Sequence, residues 1–326
     1  MGYGDAKTRG RGDSRFRGKE RWVSAVDYRK QLGDFRPKKD FLVCIDSDGC
    51  AFDTMGIKQR ECFCPWMIAY FGLQPVAQAA RECKEFADLF SKTRGANRHI
   101  TIKRILTELL PTHPQVQARR FDVPEFPHYF AWVDDPQSLL SNDGLKEAIK
   151  GAASEEVRRE LEHILAWSER VNWAIKEIVQ GIPPFTYVRE SLVKLQDKAD
   201  VVVVSATPLE ALKREWQEHD VARYAALICG QEMGTKTEHI ASIAGEYAEN
   251  HILMIGDAPG DRRAARANDA LFYPIIPGEE ENYWKHFADE SMERFFSGSY
   301  YGRYEVELSE RFERALPDSP PWEVER

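Results

Sequence analysis

No run of this chain is apolar for the roughly 18 to 20 residues that a bilayer-crossing helix needs, so membrane-spanning readings are set aside. No apolar stretch follows the early basic residues either, which removes the signature of a secretory leader; the expectation is a soluble, cytoplasmic protein. Positive charge is not in excess: 45 Lys and Arg stand against 53 Asp and Glu, for a formal net charge of -8. A general nucleic-acid binder needs a basic face to displace counterions from phosphate, and this balance argues against one. Cysteine is sparse as well. Cys44 and Cys229 lie in apolar runs and read as core residues, while Cys62 and Cys64 form a C-x-C pair. No second cluster with metal-site spacing follows that pair, and Phe63, Pro65 and Trp66 surround it, so packing is favoured over metal binding. Internal repeats are absent.

What is present is an ordinary globular composition, 43% hydrophobic and 30% charged, over 326 residues, enough for one large or two modest domains. Residues 1–38 are rich in Gly, Arg and Lys with little apolar periodicity. They read as a flexible basic extension, more simply solvated than an RNA-binding arm, with a short helix near residues 22–32.

Four apolar runs, 41–45, 201–204, 252–255 and 271–276, end in polar or turn residues, with a weaker fifth at 225–229. Continuous β-branched runs of this length suit strands buried on both faces, as in a parallel sheet. Helical patterns at 209–218, 236–248 and 262–267 alternate with them, which predicts an α/β, doubly wound parallel sheet. Between the first two strong runs lie about 150 residues with no convincing strand. Helical patterns there cover 62–90, 100–110, 144–150, 155–180 and 187–196. That is too long for a crossover, so an inserted all-helical domain is expected. The resulting division is 39–55 with 197–326 as the core, and 56–196 as the insert. Beyond residue 281 the chain reads as helical to about 296 and then irregular.

Polar residues at the carboxyl ends of such strands face the crevice where ligands bind. The first run ends in Asp46-Ser47-Asp48-Gly49. A carboxylate there can be a nucleophile, and one two residues on can serve as acid and base. Close carboxylates also favour a divalent cation, and oxygen-only ligation suits Mg2+. The same letters hold metal and diphosphate in some glycosyltransferases. Ser205, Ala206 and Thr207 end the second run before Pro208, a turn whose hydroxyl and N–H groups can hold an anion, or whose Thr207 simply caps a helix. Lys236 opens a helical pattern, where the dipole disfavours a cation, so it has a role beyond solvation. Asp257 and Asp261, in Gly256-Asp257-Ala258-Pro259-Gly260-Asp261, follow the fourth run and read as a metal arm.

These four elements, in this order and at successive strand ends, resemble the haloacid-dehalogenase superfamily over about residues 41–278. The family's D-x-D-G, its strand-ending Ser or Thr, its lysine and its G-D-x-x-x-D correspond to Asp46-Ser47-Asp48-Gly49, Ser205, Lys236 and Gly256-Asp257 to Asp261. The insert falls where the family carries a C1-type helical cap. Cys50 departs from the usual Thr and mainly supports the loop. The resemblance implies a Rossmann-like core and a magnesium-dependent phosphatase acting on a small phosphomonoester through an aspartyl-phosphate. Asp46 would attack phosphorus, and Asp48 would protonate the leaving oxygen and then activate water. Mg2+ would be held by Asp46, the Asp48 main-chain carbonyl, Asp257 and nearby Asp261, and the phosphoryl oxygens by Ser205, Ala206 and Lys236. An acid at Asp48 separates the chain from the superfamily's dehalogenases, phosphonatases and ion pumps. A phosphomutase is the alternative within the superfamily; outside it stand a D-x-D glycosyltransferase, a receiver-type phospho-module and an inactive phosphate-binding scaffold.

In the insert, the segment Ser91-Lys92-Thr93-Arg94-Gly95-Ala96-Asn97-Arg98-His99 is the substrate candidate. Arg94 and Arg98, four apart, would share one helical face if a helix began early enough, and with Lys92 would bind an anion. Lys58, just past the first loop, is expected near the cleft, and a charged connecting loop is the plainer alternative for 91–99. The partner the resemblance implies is a small phosphorylated metabolite.

Overall fold

The computed structural model describes residues 28–324. The greater part of the basic extension, and the start of the helix expected at 22–32, lie outside them; a helix is found at Tyr28–Gly33.

Five strands form one parallel sheet: β1 (Phe41–Ile45), β2 (Ala199–Val204), β3 (Leu227–Cys229), β4 (Ile252–Gly256) and β5 (Leu271–Pro274), in the order β3-β2-β1-β4-β5. The fold is α/β and doubly wound. The valines of β2 are buried throughout, as a strand covered on both faces requires. The winding reverses beside β1, because the chain runs outward through β2 and β3 and then returns to β4 on the other side. The crevice between the carboxyl ends of β1 and β4 is therefore the switch point, the place where such sheets bind ligands.

Between β1 and β2 the structure is helical, with a long run over Glu155–Ile178. Its fully buried apolar residues, among them Met67, Phe71, Ile102, Tyr129 and Trp167, form a core separate from the one built on the sheet. The two chain crossings that join this region to the sheet meet each other: Phe185 N–H donates to the Ala51 carbonyl at 2.9 Å, and Phe52 bridges Pro184. Cys62 and Cys64 are both buried, in two different apolar clusters. Sequence patterning passed over two short helices here, Pro114–Arg119 and Pro127–Asp134.

One expectation is corrected. The segment after residue 296, read as irregular, contains the 13-residue helix Arg303–Ala315. Its buried residues are only Leu308 and Phe312, which lie four apart and pack toward β5, with Phe312 edge-on to Phe272. So thin an apolar stripe is hidden by the charged residues around it.

Candidate active site

The backbone of β1 brings Asp46 to the sheet edge, where its N–H donates to the Ile255 carbonyl of β4 at 3.0 Å. This pairing sets Asp46 beside the turn that follows β4. That turn is tied by two hydrogen bonds: Asp261 Oδ2 accepts from the N–H groups of Asp257 and Ala258 at 3.1 and 3.0 Å, closing the first turn of helix Pro259–Arg266. Ligand oxygens of Asp46, Asp257 and Asp261 thus come within 4.8 Å of one another, and all three residues are buried.

Three buried carboxylates this close repel, and two cations answer them. Lys236, at the start of helix Lys236–Ala244, places Nζ 2.7 Å from Asp46 Oδ2 and 2.5 Å from Asp261 Oδ1. Burial works against its charge, but Asp261 and Asp46 outweigh that and raise its pKa. Arg94 Nε donates to Asp257 Oδ2 at 2.6 Å, with its NH1 tied to the Leu89 carbonyl at 3.0 Å. Room for that guanidinium depends on Gly49, which sits at φ +82; a Cβ there would lie 2.5 Å from Arg94 NH2 and 2.9 Å from Asp257 Oδ2. Burial, with the neighbouring carboxylates, pushes Asp46 well above the usual carboxylate range despite Lys236. Burial likewise lifts Asp257 to about 6, against the charge of Arg94.

One atom of the cluster has no partner: Asp257 Oδ1 is buried and makes no hydrogen bond. A buried, unsatisfied carboxylate oxygen is costly, and a hard cation ligated by oxygen would satisfy it. The donor set Asp46, Asp257 and Asp261 fits Mg2+ on that ground.

Asp48 is handled differently. Its carboxylate accepts from Lys58 Nζ at 2.7 and 2.5 Å, from Thr207 Oγ1 at 2.7 Å and from Thr54 Oγ1. Burial would raise its pKa, but the Lys58 charge and these hydrogen bonds together hold it below the ordinary value. The side chain of Asp48 therefore belongs to a second group and is not among the clustered oxygens. Ser205 is buried at the end of β2, its N–H on the Cys229 carbonyl, and its Oγ accepts from Thr207 N–H at 3.2 Å. Ala206, between them, is exposed. Cys50 secures the loop: its carbonyl accepts from Trp284 Nε1 at 2.7 Å, and its thiol approaches the Ile255 carbonyl at 3.6 Å.

The structure separates the two arginines of the insert. The helix begins at Arg98, capped by Asn97, so Arg94 lies before it and the two share no helical face. Arg94 reaches the strand ends. Arg98 turns instead to helix Glu155–Ile178, where NH1 donates to the Ser168 carbonyl, Ser168 Oγ and Asn172 Oδ1, and the guanidinium lies over Phe63 at 4.8 Å.

Lys58 packs its Nζ on Asp48. Thr54 and Glu215 complete the site without any mark in the sequence pattern. Glu215 Oε2 accepts from Ser47 Oγ at 2.7 Å, and Ser47 Oγ in turn accepts from Trp216 Nε1 at 2.9 Å. Burial, together with the charge of Asp48, raises Glu215 to about 7. Nothing in the sequence marks a glutamate on an amphipathic helix as a neighbour of the D-x-D loop.

No family model matches the chain, and no curated protein matches it in sequence. Among solved structures, many neighbours are haloacid-dehalogenase superfamily hydrolases. A haloacid dehalogenase-like hydrolase from Streptococcus pneumoniae shares 11% identity over 78% of this chain and 98% of its own, at a TM-score of 0.41. A predicted phosphoglycolate phosphatase from Haemophilus somnus shares 14% over 74% and 88%, at 0.41. A Thermotoga maritima protein provisionally assigned as a beta-phosphoglucomutase shares 13% over 76% and 99%, at 0.38. Likeness at this level concerns the fold alone.

Proposed function

We propose that the chain is a magnesium-dependent phosphatase of the haloacid-dehalogenase type, with Asp46 as nucleophile and Asp48 as acid and base. The observation that carries this reading is the division of labour between two carboxylates two residues apart. Asp46 lies among buried carboxylates and Lys236, whereas Asp48 is held apart by Lys58, Thr54 and Thr207. A chain that merely needed a polar turn would have no use for two such different environments.

In the first step an Asp46 oxygen forms a bond to phosphorus as the bond to the leaving oxygen breaks; Asp48, ionised at rest beside Lys58, takes up a proton from solvent and passes it to that oxygen. In the second, Asp48 takes a proton from water, the water oxygen bonds phosphorus, and the Asp46–phosphorus bond breaks. Lys236 Nζ, already on Asp46, and the Ser205–Thr207 turn would hold the phosphoryl oxygens while charge develops on them. Asp46, Asp257 and Asp261 would hold Mg2+, which when bound neutralises phosphoryl charge and aligns the group for in-line transfer. Of the two arginines of the insert, Arg94 would be the substrate-side residue, because it reaches the strand ends and Arg98 does not.

The test is phosphate release from p-nitrophenyl phosphate. Turnover should require added Mg2+ and stop in excess chelator. Undiminished activity in chelator would remove the metal from the mechanism, and sugar transfer without phosphate release would replace the reading with a glycosyltransferase.

A further inference from the structure

Outside the candidate active site, a cavity of about 570 Å³ opens where three segments meet. Its cationic lining is Lys92 from the 91–95 loop, Arg262, Arg263 and Arg266 from helix Pro259–Arg266, and Arg314 from helix Arg303–Ala315; Glu310 and Glu313 are its acids. Five cations against two carboxylates make a positive pocket in a chain whose net charge is -8.

The internal pairings do not use up that charge. Arg262 pairs with Glu313, Arg314 reaches Glu310 at 3.7 Å, and Lys92 turns to Asp318 at 2.6 Å. The side chains of Arg263 and Arg266 make no hydrogen bond or ion pair with another described residue; Arg266 acts on Glu305 and Glu313 through its charge alone. Placing Arg262, Arg263 and Arg266 within five residues sets like charges three and four apart, a spacing that costs helix stability. The helix dipole rewards a cation in the last turn only modestly. Two unpaired, charged forks lining one pocket match a ligand with several anionic oxygens, since guanidinium recognises phosphate and carboxylate in bidentate fashion.

We propose that this pocket is a second, non-catalytic binding site for a small polyanion carrying two or more phosphate or carboxylate groups. Its volume lies in the range of small-ligand sites. The overall acidity of the chain favours a compact anion over a nucleic-acid strand. The site stands apart from the proposed phosphatase reading: Arg262, Arg263 and Arg266 come from the helix whose first turn carries Asp261, Arg314 comes from helix Arg303–Ala315, and none of them pairs with Asp46, Asp48 or Lys236 among the described residues.

The experiment uses inorganic pyrophosphate as probe, titrated calorimetrically into the full chain with chelator and no divalent cation, at low and at physiological salt. The parent should bind it, and the doubly substituted Arg263→Ala/Arg266→Ala chain should bind at least tenfold more weakly. Magnesium-dependent turnover of p-nitrophenyl phosphate should be unchanged in that variant and its melting temperature should not fall, because both side chains are exposed and removing them relieves like-charge repulsion. Equal affinity in parent and variant would assign the binding to the catalytic crevice and overturn the proposal. So would a parent that binds no pyrophosphate at millimolar concentration, or one that binds oligonucleotides in proportion to their length but not pyrophosphate. Loss of turnover in the parent would count against the phosphatase reading and leave this one standing.

Discussion

Lys58 Nζ lies 2.7 and 2.5 Å from the two carboxylate oxygens of Asp48, ten residues earlier in the chain. Lys58 opens a π-helical stretch, Lys58–Phe63, that continues the helix beginning at Thr54, so a single helical run brings both Thr54 and Lys58 onto Asp48. Wide turns of this kind often occur at functional sites. The pair is four-fifths buried, its side chains 17% and 18% exposed, and so belongs to the site more than to the solvated surface.

Lys58→Met should therefore destabilise the protein most at neutral pH. In the parent the Asp48 pKa is depressed, so its stabilising contribution is present above the ordinary carboxylate range and is lost as pH falls through the lower folded value. Without Lys58, burial dominates and the ionised carboxylate is disfavoured. The expected loss is about 1–3 kcal/mol at pH 7 to 8, shrinking toward pH 4. Urea unfolding across pH reads it; a loss independent of pH would mean that Lys58 acts through packing.

Asp46→Asn should remove turnover almost completely while the chain melts no lower than the parent in chelator. An amide cannot form the covalent intermediate, yet it fills the same space. Burial already disfavours the Asp46 carboxylate beside Asp261 and Asp257. Removing its charge relieves that repulsion, while Lys236 keeps Asp261. More than a small fraction of residual turnover would disqualify Asp46 as nucleophile.

Strand runs and strand-end residues were legible in the sequence for a physical reason. A strand buried on both faces has to be apolar throughout, as β2 is, and the polar residue at its end then stands out. The partners that complete the site were not legible. Thr54 at a helix start, Glu215 on a helix far along the chain and Arg94 in a turn reach the strand ends only through how these segments pack, and no period in the sequence encodes that. Arg94 and Arg98 show the same limit from the other side: four-residue spacing implies a shared face only within a helix, and Asn97 starts the helix between them.

Arg98→Ala should act on stability and not on substrate use. Its guanidinium joins the helix it begins to helix Glu155–Ile178 through Ser168 and Asn172, and lies over Phe63. Burial lowers its pKa to about 10, which leaves it charged at neutral pH. Losing these bonds and the cation–π contact should cost about 1–3 kcal/mol. KM for p-nitrophenyl phosphate should stay within about twofold, corresponding to less than roughly 0.5 kcal/mol. A large rise in KM without destabilisation would return Arg98 to the substrate site.

Glu215→Gln should stabilise the protein at alkaline pH. Here the folded pKa, about 7, lies above the ordinary glutamate value, so the native state binds more protons than the unfolded chain between roughly pH 4.5 and 7. That contribution is fully present below the unfolded pKa and is lost as pH rises through 7. Above that, the parent must bury a carboxylate against the charge of Asp48. Glutamine is isosteric, keeps an acceptor for Ser47 Oγ and has no charge to bury. The variant should match the parent near pH 4.5 and exceed it by about 1–3.5 kcal/mol at pH 8, the upper figure being the full shift converted at 1.36 kcal/mol per pH unit. Denaturation at both pH values measures the gap. If it fails to widen between them, Glu215 titrates normally, and its bond to Ser47 is an ordinary contact that does not bear on the charge of the D-x-D loop.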